Sequence, residues 1–285
     1  MDVQLQVFIE VVEQASFSRA AEALHMTQPA VSQYIKALEE KLDTRLLERS
    51  NKSVNLNKAG KIVYQHSLEI KALYTQMNIL VDDLTDKASG ELRIGASYTF
   101  GEYRLPQIIA QMKQDYPHIH PSITIGNTEK IAELVGCHQI DVGIIEGQIK
   151  QRDLFIEPLI TDKLVLVSAV DEIISEDNLT DKSWIVRERG SGTREVVDLF
   201  LKNKQLKPQD LLEFSSTQLI KSSVEAGLGI SLMSEWVIKR EVENNYLKIN
   251  EMNGLPLSRA FHLITKSALK TRALKVFIEL VKRSE

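Results

Sequence analysis

The 285-residue sequence contains a single cysteine, Cys137. An internal disulfide is excluded, and this usage suits a reducing compartment, so a cytoplasmic location is expected. Long apolar runs are also missing, and none approaches the roughly 18 residues that a membrane-spanning helix needs. The opening stretch, MDVQLQVFIEVVEQ, carries acids where a secretory signal has a basic region, so neither a leader nor a membrane partner is expected. There is no excess of positive charge, with 35 Lys and Arg against 39 Asp and Glu. A net charge of −4 argues against a general cationic coat for nucleic acid, but not against a reading surface confined to one face.

Catalytic and metal-binding signatures are lacking as well. Gly190-Ser191-Gly192-Thr193-Arg194 is not a phosphate-binding loop, because the lysine and spacing of GxxxxGK[ST] are absent. Gly227-Leu228-Gly229 has neither the third glycine nor the flanking order of a dinucleotide site. His118 and His120 lie two apart and Cys137 and His138 are adjacent, which are not usual chelate spacings. No GxSxG elbow or HExxH helix occurs. No metal, no cofactor and no catalytic residues are expected, and the chain is not expected to be an enzyme.

The stretch Ser18–Leu42, SRAAEALHMTQPAVSQYIKALEEKL, reads as two short helices joined by a tight turn. Before it, Leu5, Phe8, Ile9 and Val12 recur at helical spacing and define one buried stripe. Ser16 and Ser18 are both candidate N-caps for the second helix, and Ala20, Ala21 and Ala23 allow close packing. Thr27 is a natural N-cap for the third, with Pro29 in the first turn, where a missing N–H costs little. Val31, Ile35, Leu38 and Leu42 form its apolar stripe, while Gln28, Ser32 and Lys36 lie four apart on another face with Gln33 beside them. Glutamine and serine can read base edges, and lysine and the helix N-terminus suit phosphate. A polar hairpin follows at Ser50–Leu56, with Arg45, Arg49 and Lys52 as candidate phosphate contacts. On pattern alone, an ordinary surface helix hairpin would look the same.

The residues FSRAAEALHMTQPAVSQYIKALEEKLDTRLLERS resemble the winged helix-turn-helix of LysR-type transcriptional regulators. The alanine pair Ala20-Ala21, the run Thr27–Ser32, Leu38-Glu39 and Leu46–Arg49 carry the resemblance, and the family layout covers the whole chain. Asn57 departs from the family's usual threonine, but asparagine caps a helix equally well. The resemblance implies a DNA-binding set that adds Ser18, Thr27, Pro29 and Ala30 to Gln28, Ser32, Gln33, Lys36, Arg45, Arg49 and Lys52.

Residues 57–88 contain no proline and one glycine, Gly60. Val63, Ile70, Met77 and Leu84 fall seven apart, with Leu73 and Leu80 interleaved, which makes a heptad seam. One amphipathic helix lying on its own domain would give the same pattern. Pairing is favoured by the length, and by how few bases a single helix-turn-helix reads. The resemblance agrees that this helix dimerises. Asp82, Asp83, Asp86, Lys87, Ala88, Ser89 and Gly90 would form the hinge that follows.

From Gly90 onward strand and helix patterns alternate, so an α/β fold with a mostly parallel sheet is expected. Such folds place ligands at the carboxyl ends of strands. Three loops qualify: Ala96–Gly101, Gly126–Thr128 and Arg187–Arg194. Their hydroxyls and free N–H groups suit an anion, although each could be no more than a capped turn. The resemblance extends here to the family's effector domain, built like a periplasmic binding protein with two lobes and a shared cleft. It implies that Ser97, Thr99, Thr128, Ser191, Thr193 and Arg194 line that cleft, with Glu146 lining it or orienting its neighbours. NTEKIAELVGCHQIDVGIIEG and VRERGSGTRE look most like the subgroup that regulates carbon fixation or sulfur assimilation.

The expected fold is therefore α/β overall. It comprises an N-terminal all-α winged helix-turn-helix (1–58), a long dimerisation helix with its hinge (59–89) and a two-lobed α/β effector domain (90–285). Lobe one would take 90–161 and 266–285, and lobe two 162–265. The expected partners are double-stranded promoter DNA, a small anionic metabolite, further copies of the chain as a dimer or tetramer, and RNA polymerase. Two rivals remain at this point: an α/β enzyme fused to a DNA-binding head, and an architectural DNA binder with a vestigial cleft.

Overall fold

The computed structural model describes residues 1–50, 53–82, 88–147, 149, 151 and 153–283. It forms two compact units, one of Met1–Asp86 with Cys137–Gln139 and another of Lys87–Gly136 with Ile140–Glu285.

In the first unit α1 (Val3–Gln14), α2 (Phe17–Ala23) and α3 (Gln28–Lys41) surround a small core, followed by the hairpin β1 (Leu47–Ser50) and β2 (Ser53–Leu56), then α4 (Lys58–Asp82). Of the two candidate N-caps, Ser16 caps α2 by accepting from Arg19 N, and Ser18 lies inside the helix. The turn after α2 closes with Met26 N donating to Ala21 O (2.8 Å) and His25 N to Glu22 O (3.1 Å), with His25 left-handed at φ 53°. That is a helix stop built without glycine. The core joins Val7, Phe8 and Val11 to Ala20, Ala21, Val31, Ile35, Leu38, Leu46 and Leu47. The buried stripe of α1 is broader than its spacing predicts, because α1 touches α2, α3 and α4. Leu42 is not in the core. It caps the C-terminus of α3 and is exposed, since the helix ends before another turn can bring it inward.

The hairpin is tied to the helices by Glu39, whose Oε1 accepts from Leu46 N (2.8 Å) and Leu47 N (3.4 Å). Asn57 accepts from Gly60 N and donates to Arg45 O, each at 2.7 Å, and so starts α4 against the preceding loop. Gly60 is required there, because a Cβ would lie 2.1 Å from Leu46 O. Beyond it, Val63 is half-buried and packs against the core of its own domain. Farther along, Ile70, Leu73, Tyr74, Met77 and Val81 are exposed at helical spacing, and Leu80 is half-buried. Leu84 and the hinge residues Asp83, Asp86 and Lys87 lie outside the described residues.

In the second unit two α/β lobes share a mixed sheet. Lobe one has β3 (Gly90–Ser97), α5 (Tyr98–Tyr103), α6 (Leu105–Asp115), β4 (Ile119–Gly126), α7 (Thr128–Gly136) and β5 (Val142–Glu146), with α11 (Arg272–Arg283) returning to it. Lobe two has β7 (Ser183–Arg187), α8 (Gly192–Asn203), β8 (Asp210–Phe214), α9 (Thr217–Glu225), β9 (Ser231–Ser234), α10 (Glu235–Glu243) and β10 (Leu247–Asn250). Two long strands, β6 (Phe155–Ala169) and β11 (Leu257–Thr265), run through both. The first half of β6 pairs with β11 and its second half with β9 and β10, while Phe261–Ile264 of β11 pairs with β5.

The expected mostly parallel sheet is corrected here. β3 is parallel to β4 and β5, and β7 to β8, but β6 and β11 are antiparallel to all their partners. The two crossing strands run in opposite senses, so neither can be parallel to everything around it. Each lobe buries a core on both sheet faces. Phe100, Phe261 and Phe277 fill one side of lobe one, each side chain contributing about 1.5–3 kcal/mol on burial. No described helix is long and apolar enough to cross a membrane.

Candidate functional site

On α3 the candidate DNA-reading groups share a solvent-facing surface. Thr27 caps the helix, its Oγ1 accepting from Ala30 N at 3.4 Å. Gln28 Nε2 donates to Ser32 Oγ at 3.0 Å one turn on, so these two present a joined polar edge. Gln33 is exposed beside them, and Lys36 pairs loosely with Glu40 at 3.4 Å. Pro29 is exposed and Ala30 half-buried, while Val31, Ile35 and Leu38 face the core, dividing the helix into an inner and an outer side. Ser18 on α2 and Arg45 before the hairpin are exposed as well. Arg49 sits in β1 with its side chain outside the description, and Lys52 lies outside the described residues.

In the effector unit a second set of polar groups is buried between the lobes. Its centre is Arg259 on β11, a cross-strand neighbour of Asp162 on β6. Arg259 Nε and Nη2 both reach Asp162 Oδ2, at 2.8 and 2.7 Å. The same guanidinium donates to Thr193 Oγ1 (2.7 Å), Thr99 Oγ1 (3.2 Å) and Glu146 Oε1 (3.3 Å). One cation thus gathers the start of α5 and the end of β5 in lobe one and the start of α8 in lobe two. Thr128 Oγ1 donates to Glu146 O at 2.6 Å, which adds the start of α7. Gly192 is needed at this meeting point, because a Cβ would lie 2.1 Å from Glu146 O. Ser97 Oγ and Glu146 Oε2 are buried and make no hydrogen bond within the chain. Ser191 is buried at the N-cap of α8 but makes no side-chain cap bond.

Beside this cluster lies a cavity of about 20 Å³, lined by Thr99, Arg187, Thr193, Thr217, Ser231 and Ser234 among others. Arg187 is buried at the end of β7 and donates to Thr217 Oγ1 at 2.9 Å. Its guanidinium lies 4.6 Å from the ring centre of Tyr98 in lobe one. Across the lobes, Lys221 lies 5.4 Å from the ring of Tyr103 and pairs with Glu241 at 2.7 Å. Burial lowers the lysine's proton affinity, but Glu241 and Tyr103 outweigh it and hold its pKa above the usual value.

Comparison with known proteins supplies the family. Residues 85–285 match the LysR substrate binding domain, and residues 3–61 the bacterial regulatory helix-turn-helix protein, lysR family. This chain belongs to the LysR family of bacterial transcriptional regulators. The HTH-type transcriptional regulator CysL of Bacillus subtilis (strain 168) is 36% identical over 285 residues, covering 98% of this chain and 95% of its own. A full-length OxyR variant from Pseudomonas aeruginosa has a TM-score of 0.75 at 22% identity, covering 99% of this chain and 95% of that one. The CcmR regulatory domain of Synechocystis PCC6803, in complex with 2-PG, has a TM-score of 0.63 at 24% identity, covering 68% of this chain and 97% of that domain. Membership makes the chain a DNA-binding transcriptional regulator with an effector-binding domain. The rival reading of a fused enzyme falls with it.

Within this LysR-family fold the structure brings together Thr99, Thr128, Glu146 and Thr193 and places Ser97 and Ser191 at neighbouring strand and helix ends. Arg194 is the exception. Its guanidinium is taken up by Asp198 (2.8 Å), Glu213 (2.6 Å) and Arg187 O (2.8 Å), because its position on α8 turns it toward β8. The cations here are instead Arg187, the first residue of the third expected loop, which lines the cavity, and Arg259, which bonds to Thr99 and Thr193 and which sequence reasoning did not select. The available signal was an arginine at an inward-facing register of a strand, in LSRAFHLIT.

Proposed function

We propose that this LysR-family regulator works as a dimer or tetramer of paired DNA-reading heads whose grip on promoter DNA is set by a small anion in the inter-lobe cleft. The division of labour follows the expected boundaries: residues 1–58 read DNA, 59–89 pair the heads and 90–285 take the effector. On α3, Gln28, Ser32 and Gln33 face base edges, while Lys36, Arg45, Arg49 and Lys52 face phosphates. The apolar stripe of Ile70, Leu73, Met77 and Leu80, with Leu84 beyond it, meets its twin in a second copy.

The observation that carries the effector reading is the convergence of Arg187, Thr99, Thr193, Thr217 and Ser234 on one cavity between lobes, with the buried Arg259 bonded to two of them, Thr99 and Thr193. Buried hydroxyls and guanidinium groups drawn from both lobes are the chemistry of an anion site that responds to lobe geometry. A bound effector shifts the lobe arrangement only as far as it binds the two arrangements differently, and DNA must alter effector affinity by the same factor. RNA polymerase is the partner through which such a shift reaches transcription.

The test is a thermal-shift screen of anionic metabolites on the full chain, since a true effector stabilises the folded state by mass action. A hit should shift the melting temperature of the wild type and fail to shift Thr99→Ala/Thr193→Ala. Both proteins should retain affinity for a duplex selected from a random pool. A shift retained in the double variant would move the effector site elsewhere.

A further inference from the structure

The geometry points to Arg187 as the anion receptor of the cleft, and to Glu188 as an internal carboxylate that occupies this receptor until an external carboxylate, sulfate or phosphate group displaces it. The inference deepens the effector reading above and rests on it.

Arg187 uses the edge of its fork that arginine uses to recognise carboxylates and oxyanions. Nε donates to Glu188 Oε2 at 2.8 Å and Nη2 to Glu188 Oε1 at 2.9 Å, a two-point pair. Nη1 is held by Thr217 at 2.9 Å, and Tyr98 covers the guanidinium face at 4.6 Å. The receptor is thus oriented from both lobes, and its binding edge is filled by a ligand-like group from the next residue in the chain. Burial raises the pKa of Glu188, but hydrogen bonds and charge from Arg187, with help from Asn127, hold its carboxyl below the usual range, so it stands there as an anion.

The other buried arginines are not exchangeable in this way. Arg259 is paired with a carboxylate on the facing strand and bonded to both lobes. Arg194 is pinned by residues of α8 and β8. Glu188 instead lies in the turn between β7 and α8, and its side chain is 20% exposed against 4% for Arg187. It can swing outward without moving an element.

Displacement would also be felt by lobe one. Glu188 Oε1 accepts from Asn127 Nδ2 at 3.1 Å, and Asn127 Oδ1 caps α7 by accepting from Lys130 N at 2.9 Å. Glu129 N donates to Gly190 O at 3.1 Å just beyond. The carboxylate that neutralises the receptor is therefore one of the ties between the lobes, and an anion that replaces it on Arg187 leaves that tie without its cation.

The experiment uses full-length protein and three probes, sodium sulfate, sodium phosphate and sodium acetate, at constant ionic strength set with chloride. Binding is read from thermal unfolding against probe concentration. Glu188→Gln removes the competing charge, and should bind at least one probe about tenfold more tightly than the wild type. Acetate against sulfate and phosphate tells a planar carboxylate site from a tetrahedral one. Arg187→Lys should lose the response. Thr217→Val, close in volume and leaving the charge in place, should weaken it several-fold even if the lysine variant folds poorly. Binding in Glu188→Gln that is absent, unchanged or weaker than wild type would overturn the competitor role. A response that survives Arg187→Lys would overturn the receptor. Arg187-dependent binding that leaves affinity for a selected DNA duplex unaltered would keep this site and sink the effector reading. An anion that alters DNA affinity in both the wild type and Arg187→Lys would do the reverse.

Discussion

On α3 the polar groups proposed to meet DNA stand in water, with Gln28, Gln33 and Lys36 all exposed and only weak local bonds among them. In the effector domain Thr99, Glu146, Thr193 and Arg259 are each more than nine-tenths buried and bonded to one another. The head exposes what packing leaves over, so its reading face can be altered without touching the core. The cleft is part of the core, so its groups hold the lobes together with the same atoms that are proposed to meet an effector. Substitutions should therefore separate folding from binding in the head, and mix them in the cleft.

The largest effect expected from this contrast is at Arg259. Truncating one partner of a buried, hydrogen-bonded pair leaves the other charge uncompensated, which costs about 3–5 kcal/mol. Arg259→Ala should lower stability by that amount, because Asp162 and Glu146 are then left as buried carboxylates without their cation. Urea unfolding followed by the fluorescence of Trp184 and Trp236 measures it. A loss under about 1 kcal/mol would mean that the cleft is as tolerant as the head, and the contrast would fail.

The same contrast accounts for what could be read from the chain beforehand. The three-helix head follows from local signals: the Thr27 cap, the proline after it and the apolar positions Val31, Ile35 and Leu38. The strand and helix alternation of the effector domain was legible for the same reason. The four-residue strand β10 and the half-exposed β8 carry no such signal, because each is too short or too open for a clear period. The short helix α5 was read as a loop because it follows β3 without a break. The cleft was legible only at its hydroxyl-bearing strand and helix ends. Arg259 meets Asp162 across 97 positions and Thr99 across 160, and no local pattern encodes such a meeting. The resemblance implies a place on the cleft for Arg194, but helical phase carries its side chain to Glu213.

Helix α4, proposed to pair the heads, tests the contrast from the other side. Met77 is 49% exposed and Leu73 47%. Met77→Asp with Leu80→Asp should leave the thermal stability of the effector domain in place and convert the assembly to monomers by light scattering, with a matching loss of affinity for two-half-site DNA. An unchanged mass in solution would show that α4 does not pair the heads through this stripe.

The smallest effects are on the reading face itself, and they sharpen the contrast most because folding should not enter. Gln33→Ala should cost about 1–3 kcal/mol on the cognate duplex and little on a mismatched one, which relaxes base preference. Lys36→Ala should weaken all duplexes alike and lower the slope of log affinity against log salt by about 1. The Lys36–Glu40 pair is 74% and 66% exposed and so adds little to stability, which keeps the second measurement one of phosphate contact. Fluorescence anisotropy across a salt series separates the two variants. Were Gln33→Ala to weaken every sequence equally, α3 would position the head without reading bases. Specificity would then have to come from the spacing of two heads, and so from the buried machinery of the effector domain.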